Sequence, residues 1–338
     1  MFILSELKKV IEEYTKLGIP EQIDYDKLYL YSIITHSTAV EGSTVTEIEN
    51  RLLFDEGISP NKPIGEQMMN IDLKSAYEEA RRIAEQHLDY SVEMLCRLSA
   101  LVMKNTGKEY KTAIGNFNSS NGELRRLNVT AGRGGKSYMS YQKVPKRLDD
   151  FCNWINSQRK NISKDDVDKI YELSFLAHYN LVYIHPWADG NGRMARLVMN
   201  MIQMECGVIP SIVKKEKKED YIKSLAESQD NDSPNSFIRF MIAHHVDNLK
   251  NAISEYKYST ENDTLNLNND TLNDTLKLSD KEKNIIDLIK KQKDISISEI
   301  MLNTGFSRPT VTRSIDYLKK NGLLVRVGAK KNGYWEIV

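Results

Sequence analysis

The sequence predicts a mainly α-helical protein with more than one domain, and three observations lead to this prediction. Apolar residues recur at three- and four-residue steps over most of residues 1–257, as they do on one face of a helix. Glycines and β-branched or aromatic residues concentrate within 111–145, where a small β-hairpin is expected. A polar, repetitive stretch then precedes a short pattern of helices and strands. We therefore expect a helical core with a hairpin, followed by a separate small domain.

Composition limits the classes of function. With 338 residues, 40% hydrophobic and 28% charged, the chain is long enough for two or three domains. Its 47 basic and 47 acidic residues balance, so net charge attracts neither nucleic acid nor a membrane. Three scattered cysteines favour a reducing, cytoplasmic setting over a disulfide framework. No apolar run approaches the length that crosses a bilayer, and we expect no signal peptide and no membrane contact.

Two amphipathic patterns, over 2–17 and 25–40, predict the first helices. The second pattern ends at Glu41, and Gly42 after it can adopt the left-handed conformation that closes a helix. Helix C-termini favour cations, so a glutamate in this place is better accommodated if an arginine pairs with it. We therefore expect Glu41 to have an arginine partner elsewhere in the chain.

A third helix is predicted to begin after Thr44, because Glu47 three residues later completes the pattern of a capping box. Between 66 and 104, apolar residues again lie at helical steps. We expect these segments to be core helices of an N-terminal region that extends over 1–105.

The stretch 185–196 is a short polar loop between two long apolar-periodic segments. The upstream pattern, over 167–184, predicts a helix that ends at His185, because the proline that follows disfavours the helical conformation there. The downstream pattern predicts a second helix that starts in a Gly-Asn-Gly turn and ends near Cys206. The loop is therefore placed between a helix C-terminus and a helix N-terminus.

Residues of this loop suit a phosphate ligand. Glycine permits positive φ, so the amides of Gly190, Asn191 and Gly192 can form a concavity for phosphate oxygens with the first turn of the next helix. Arg193 and Arg196 are three residues apart and lie on one face of that turn. Cations are unfavourable at a helix N-terminus unless a polyanion binds there.

Two further residues of the loop suit catalysis. Asp189 offers a hard carboxylate for a Mg²⁺ ion that also contacts phosphate oxygens. His185 is the base whose ordinary pKa lies near neutrality, so it can take a proton from a hydroxyl. Each residue alone would be explained by helix capping or a common turn. Together they predict attack by a hydroxyl on a Mg²⁺-bound nucleoside triphosphate.

The loop resembles the motif of the Fic family. Residues 185–196 are HPWADGNGRMAR, and the family motif is HPFx(D/E)GNGRxxR, so only Trp187 departs from a fixed position. The resemblance implies a helical core with a small β-hairpin flap, and transfer of AMP from ATP to a Ser, Thr or Tyr hydroxyl of a protein. It also implies these roles: general base, His185; Mg²⁺ ligand, Asp189; anion hole, Gly190, Asn191 and Gly192; phosphate ligands, Arg193 and Arg196.

A second resemblance concerns regulation. Residues 37–42, STAVEG, are similar to the Ser/Thr-x-x-x-Glu-Gly/Asn inhibitory motif of autoregulated Fic proteins, and Ser37, Glu41 and Gly42 occupy its fixed positions. A capped helix end is the alternative explanation. The resemblance implies that Glu41 pairs with Arg196 and displaces the γ-phosphate. In some relatives the same glutamate supports removal of AMP, so both directions of action stay open.

Three further assignments follow from the resemblance. Residues 122–129 followed by 142–145 resemble the flap, whose edge would hold a target segment by strand addition; a solvated loop is the alternative. Tyr221, near the start of a helix, is expected beside the nucleotide base, with plain packing as the alternative. Asn180, five residues before His185, is a further nucleotide-binding candidate.

The C-terminal residues have the pattern of a winged helix-turn-helix domain. Asn-Asp-Thr-Leu occurs three times within 262–276, a composition typical of a linker. Residues 277–338 then give three capped helices and two strands, with thirteen Lys and Arg against seven Asp and Glu. The third helix would present Arg308, Thr310, Thr312 and Arg313, and the wing would present Lys330 and Lys331. The surplus of positive charge is compatible with DNA binding, and protein docking is the alternative.

The sequence therefore predicts an autoinhibited protein adenylyltransferase. Its expected parts are an N-terminal helical region, 1–105; a catalytic core with flap, 106–257; a linker, 258–276; and a winged helix-turn-helix domain, 277–338. Expected partners are ATP, Mg²⁺, a protein that presents a hydroxyl, the chain itself as a target, a second copy in a homodimer, and DNA. The alternatives are a DNA-binding regulator that senses nucleotide, a Doc-like kinase, and an enzyme that removes AMP.

Overall fold

The computed structural model describes residues 2–22, 24–131, 136–163, 165–269, 279–320, 323–327 and 333–337. This part of the chain is mainly helical, as predicted, and it divides into two compact units. The first unit comprises residues 1–50 and 60–260, and the second comprises residues 51–59 and 261–338. Among the described helices, none is both long and apolar enough to cross a bilayer.

The first ten helices belong wholly or in part to the first unit. They are α1 Phe2–Lys16, α2 Tyr25–Val40, α3 Glu47–Glu56, α4 Ile64–Glu85, α5 Val92–Val102, α6 Val144–Lys160, α7 Val167–Ile184, α8 Asn191–Glu205, α9 Lys218–Asp230 and α10 Asn235–Asn269. The predicted bounds of α1, α2, α7 and α8 are confirmed to within a residue or two. These four segments have clear apolar periodicity and a helix-ending residue or turn at a known place, which is why their limits are readable.

Helices α7 and α8 form the centre of the first unit and pack against each other along their length. Aromatic and aliphatic side chains of α1, α7, α8 and α10 meet there, including Leu7, Phe175, Met199 and Phe237, which are fully buried. Helix α4 covers another side of α8, where Tyr77 donates a hydrogen bond of 2.7 Å to Oδ1 of Asn200. The loop between α7 and α8 is thus held by a rigid apolar scaffold.

A buried polar cluster fixes the C-terminal end of α2. Oδ1 of Asn70, on α4, accepts hydrogen bonds from the Thr38 hydroxyl at 2.8 Å and from Nδ2 of Asn50 at 2.9 Å. Nδ2 of Asn70 donates to the Ser43 hydroxyl at 3.1 Å. All four side chains are buried. Because a buried polar group is costly unless its partners are in place, this cluster specifies one position for the α2 end.

Three local predictions need correction: the position of the capping box, the start of the linker and, below, the second half of the flap. The capping box lies two residues later than predicted, because the backbone amide of Thr46 donates to Glu49 while Thr44 bonds to Glu66 of α4. Helix α10 continues to Asn269, so the first part of the predicted linker is helical. Asn and Thr are weak helix formers, but no Gly or Pro interrupts the segment. The remaining linker residues, 270–276, lie outside the described part of the chain.

The predicted flap is also corrected in its second half. Residues 122–129 contain no strand, and the pairing lies just after them, where Thr130 and Ser137 form an antiparallel bridge. We call 122–131 the first arm of the flap and 136–138 its second arm. Residues 142–145, however, belong to a 3₁₀ turn, Tyr141–Lys143, and to the start of α6. Pro145 is suited to the first turn of a helix, where its missing N–H costs nothing. A separate two-stranded sheet pairs β1 Glu109–Tyr110 with β2 Phe117–Asn118.

The second unit contains the predicted winged helix-turn-helix pattern. Its helices are α11 Asp280–Lys291, α12 Ile297–Thr304 and α13 Arg308–Lys320, and its strands are β3 Leu324–Val327 and β4 Tyr334–Ile337, paired antiparallel. Capping boxes open α11 and α12, as predicted. A cluster around Ile289, Ile300 and Trp335 forms its core. The predicted wing residues Lys330 and Lys331 lie outside the described residues.

Candidate active site

His185 follows the last residue of α7 in a strained backbone conformation. Its φ of 52° and ψ of 62° are left-handed, a region that non-glycine residues rarely adopt away from functional sites. Pro186 explains the end of the helix, and the amide of His185 still donates to the Leu181 carbonyl at 2.9 Å. Burial lowers the pKa of the imidazole to about 4. The ring is therefore neutral at physiological pH, which is the form that accepts a proton.

The loop after His185 is held together by its own side chains. Asn191 donates from Nδ2 to the Trp187 carbonyl at 2.8 Å, and its Oδ1 accepts from the Trp187 amide at 3.0 Å. The indole of Trp187 is fully buried and donates to the Gly122 carbonyl at 3.0 Å. Trp187 is therefore a buried anchor of the loop. The side-chain amide of Asn191 holds the loop together, so only the backbone N–H of this residue is available to a ligand.

Gly190 and Gly192 both lie very close to side chains from other parts of the chain. Gly190 has a φ of 79°, and a Cβ atom there would lie 2.7 Å from Sδ of Met103. A Cβ atom on Gly192 would lie 2.6 Å from Oε1 of Glu41. The carboxylate of Glu41 thus lies directly against the amide turn that was predicted to receive phosphate oxygens. The turn begins α8, whose dipole also favours a negative charge at this point.

Arg196 is buried and fully paired with the end of α2. Its Nη2 lies 2.5 Å from Oε1 of Glu41, its Nε donates to the Ser37 hydroxyl at 2.8 Å, and Nη2 also donates to the Ser37 carbonyl at 2.9 Å. Burial would raise the pKa of Glu41, but Arg196 lowers it below the usual value. The arginine partner expected for Glu41 is therefore Arg196, and Ser37 completes the contact.

Arg193 is equally buried but poorly paired. Its Nη1 donates to the Val102 carbonyl at 3.3 Å, its Nη2 lies 3.1 Å from Sδ of Met103, and the carboxylate of Asp189 is 3.8 Å away. Its Nε has no hydrogen-bond partner among the described residues. Burial of this cation lowers its pKa. A guanidinium in this condition is suited to an anionic ligand.

Asp189 is the residue that was predicted to hold a Mg²⁺ ion. Its side chain is 58% exposed and accepts a hydrogen bond of 2.6 Å from the Gly190 amide. Within the described residues no cluster of three or more His, Cys, Asp or Glu side chains could enclose an ion. One exposed carboxylate beside an anion site fits Mg²⁺, which keeps several waters and shares phosphate oxygens with its protein ligand.

Tyr221, which was predicted to lie beside the nucleotide base, contacts Arg196 in the structure. Its ring is buried among aromatic side chains, 3% exposed, and its hydroxyl is 2.8 Å from Nε2 of His178 and 3.5 Å from Nη1 of Arg196. This burial fits the alternative of plain packing, and the contact with the nucleotide base stays a prediction. Asn180 lies on α7, partly buried, and its nucleotide contact stays a prediction.

Two residues near His185 had no predicted role. The ring of Tyr138, in the second arm of the flap, stacks on the imidazole with centroids 3.7 Å apart and an angle of 15° between planes. Arg125, in the first arm, donates from Nε to the His185 carbonyl at 2.7 Å. A Gly-Glu-Leu-Arg segment carries no local sign of such a contact, because its partner lies sixty residues away.

The loop between α7 and α8 lies within a segment that matches a known protein family. Residues 89–203 match the model of the Fic/DOC family, and residues 278–325 match the model of winged helix-turn-helix DNA-binding domains. Residues 89–203 are therefore similar to a Fic/DOC-family domain, and residues 278–325 are similar to a winged helix-turn-helix domain.

Among similar proteins is protein adenylyltransferase fic-1 of Caenorhabditis elegans, 28% identical over 70% of this chain and 42% of the relative. Protein adenylyltransferase Fic of Drosophila melanogaster is 28% identical over 62% of this chain and 39% of the relative. The chain thus spans about two fifths of the length of these relatives.

Solved structures support the fold. A Fic-domain-containing signalling protein from Bacteroides thetaiotaomicron matches with a TM-score of 0.61 and 21% identity, over 75% of this chain and 97% of that one. A Fic family protein from Desulfovibrio desulfuricans matches with a TM-score of 0.60 and 21% identity, over 99% of this chain and 94% of that one.

Proposed function

We propose that this protein is an adenylyltransferase that transfers AMP from ATP to a Ser, Thr or Tyr hydroxyl of a protein, and that Glu41 holds it inactive. The observation that carries the proposal is the convergence, within one loop, of a neutral imidazole, an amide-lined turn and two buried arginines. The names of the curated relatives give the same activity. Identity with them is modest, so the proposal depends on the site.

Each group has a defined part in the transfer. The neutral imidazole of His185 accepts the proton of the incoming hydroxyl, and the hydroxyl oxygen forms a bond to the α-phosphorus as the bond to pyrophosphate breaks. The amides of Gly190 to Gly192 and the guanidinium groups of Arg193 and Arg196 neutralise phosphate charge. Mg²⁺ held by Asp189 would supply further neutralisation of the triphosphate.

The proposed inhibition is a competition between Glu41 and ATP for Arg196 and for the space beside Gly192. Oε1 of Glu41 lies 2.5 Å from Nη2 of Arg196 and in contact with Gly192, where a phosphate oxygen would bind. A carboxylate and a phosphate cannot share this place, because like charges repel in a poorly solvated site. ATP therefore cannot use Arg196 until the carboxylate moves.

The test is AMP transfer by the Glu41→Gly protein. A hydrogen bond to a charged group is worth roughly 1.5–3 kcal/mol, so we expect transfer to rise about 10- to 100-fold. Incubation with α-labelled and, separately, γ-labelled ATP identifies the reaction, since AMP transfer leaves only the α label on protein. Retention of the γ label instead would identify a Doc-like kinase, and loss of AMP from a modified target would identify the reverse reaction.

Two control variants sharpen this test. Glu41→Gln keeps the shape of the side chain without its charge and should give an intermediate rate. The double variant Glu41→Gly, His185→Ala should bind ATP but transfer no AMP. An unchanged rate for Glu41→Gly would contradict inhibition, and an undiminished rate for the double variant would contradict the role of His185. Labelling of the protein alone, followed against its concentration, tests self-modification within one molecule or between two in a homodimer.

A second candidate function is DNA binding by the winged helix-turn-helix domain. The observation that favours it is the match of residues 278–325 to a DNA-binding model. Arg313 on α13 is exposed, and Arg308, Thr310 and Thr312 are partly exposed. We expect the full chain to bind duplex DNA with an affinity that falls steeply with salt, measured by fluorescence anisotropy, and we expect Arg313→Ala to weaken it. A DNA affinity that depends neither on salt concentration nor on Arg313 would favour protein docking as the role of this domain.

A further inference from the structure

The flap and the candidate catalytic histidine share one buried arginine. Arg125 is 2% exposed, and its three side-chain hydrogen bonds among the described residues all go to backbone carbonyls and none to a carboxylate. It is surrounded by carbonyl groups instead. Its Nε donates to the His185 carbonyl at 2.7 Å, Nη1 donates to the Leu127 carbonyl at 2.8 Å, and Nη2 donates to the Met139 carbonyl.

These three carbonyls belong to three different segments. Leu127 is in the first arm of the flap, and Met139 follows the second arm, where the amide of Tyr138 donates to the Val129 carbonyl at 3.0 Å. The third carbonyl is that of His185 itself. The backbone amide of Arg125 adds a hydrogen bond of 3.0 Å to the Pro186 carbonyl. The Arg125 side chain therefore connects both ends of the flap to the backbone of His185.

His185, whose carbonyl accepts this hydrogen bond, is itself in the left-handed region. That conformation costs roughly 1–3 kcal/mol and persists only where surrounding groups fix it. Arg125 and the stacked ring of Tyr138 are the groups that fix it from the flap side. If the flap aligns an acceptor by strand addition, the acceptor and the base must be held in one frame, since small misplacements slow transfer strongly.

We propose that Arg125 is a positioning residue, which holds the acceptor-binding flap and His185 in a fixed mutual geometry without touching the reacting groups. This inference rests on the proposed adenylyl transfer for its kinetic consequence, but its structural consequence does not. Within the described residues, the hydrogen bonds of Arg125 go to His185, Pro186, Leu127 and Met139, and none goes to the residues proposed to bind ATP.

The experiment uses the full chain in the Glu41→Gly background, with three variants: Arg125→Ala, Arg125→Lys and Arg126→Ala. Arg126 is the matched control, because it is the next residue and is exposed. Arg125→Lys keeps the charge in a side chain that cannot reach three carbonyls in different directions, and it keeps the test valid if Arg125→Ala does not fold.

We expect Arg125→Ala to lower kcat by about 100-fold and Arg125→Lys by about 10-fold, with KM for the acceptor raised and ATP affinity unchanged. Millimolar guanidinium ion should restore part of kcat in Arg125→Ala and none in Arg126→Ala. Amide hydrogen exchange should become faster in 127–131 and 136–139 in both Arg125 variants, and stay unchanged in α4.

Distinct outcomes separate the two proposals. If the Glu41→Gly parent transfers no AMP, the proposed function fails, and hydrogen exchange alone still tests whether Arg125 holds the flap in place. Slow exchange in the flap of Arg125→Lys, or a kcat equal to that of Arg126→Ala, would overturn the inference. A parallel loss of ATP affinity would overturn it as well, because it would show general disruption of the site.

Discussion

The surroundings of Arg193 and Arg196 differ sharply although both side chains leave the same turn of α8 and both are buried. Arg196 meets a carboxylate, a hydroxyl and a carbonyl at the end of α2. Arg193 meets a carbonyl at 3.3 Å, a thioether and a carboxylate at 3.8 Å, and leaves its Nε without a partner. Arg196, in one half of the proposed anion site, is therefore paired within the protein. Arg193, in the other half, lacks a strong internal partner.

Under the proposed function, this difference explains how a site could be complete and inactive at once. Arg193 could bind phosphate without losing a strong internal partner, whereas Arg196 would first have to release Glu41. The buried cluster around Asn70 fixes the α2 end that carries this partner. The proposed inhibition would therefore depend on helix packing as well as on charge.

The largest expected effect that tests this comparison is on stability. Arg196→Met removes the partner of Glu41 and leaves the buried Ser37 groups unsatisfied. Because the Glu41 side chain is 34% exposed and can be hydrated, we expect a loss of about 1–3 kcal/mol in the free energy of unfolding. Arg193→Met removes an underpaired buried cation and should change stability by less than about 0.5 kcal/mol, or increase it.

Urea unfolding of both full-length variants near neutral pH measures this contrast. Methionine suits both positions, because it fills much of the volume of the arginine stem. Equal losses for the two variants would mean that Arg193 has partners as strong as those of Arg196. The comparison between the two halves of the site would then be wrong.

The smallest expected effect concerns pH. The folded-state pKa of Glu41 lies below its usual value, because Arg196 outweighs the effect of burial, so the ion pair is complete above the unfolded-state pKa and is lost only as pH falls through the folded-state value. The ratio of AMP transfer by Glu41→Gly to that by the wild type should therefore be constant between pH 5.5 and 8, an interval that lies above roughly 4.3, the reference value for a glutamate.

The rate itself should also change little in this interval. The pKa of His185, lowered to about 4 by burial, keeps the base neutral there. Rates of both proteins, measured on one target across the interval, test the two statements together. A ratio that falls toward unity near pH 6 would indicate that Glu41 takes up a proton in the folded protein.

Much of the site could be predicted because its chemistry is local. The amides, the two arginines, Asp189 and His185 lie within one loop whose helix ends follow from Pro186 and the glycines. The pairing of Glu41 was also predictable in kind, since a glutamate at a helix C-terminus needs a cation. The choice of Arg196 as that cation came from the resemblance to a family motif.

Other features could not be predicted because they depend on contacts between distant segments. The contact of the Tyr221 hydroxyl with Arg196 was not foreseen, because it joins helices that are separate in the sequence. The second arm of the flap was placed at 142–145, where a glycine-poor segment instead starts α6. The capping box at Thr46 was missed because two Thr-x-x-Glu patterns overlap in the sequence, and only the contact of Thr44 with Glu66 selects between them.

The sequence by itself determined the helices, the two-domain order and the chemical identity of the catalytic loop, because each is set by short-range periodicity or by neighbouring residues. Only the tertiary structure decided which arginine is occupied, which tyrosine is buried, and that Arg125 joins the flap to His185. These contacts depend on how helices and loops pack in three dimensions, and a buried cation can be assigned a partner only when its surroundings are known.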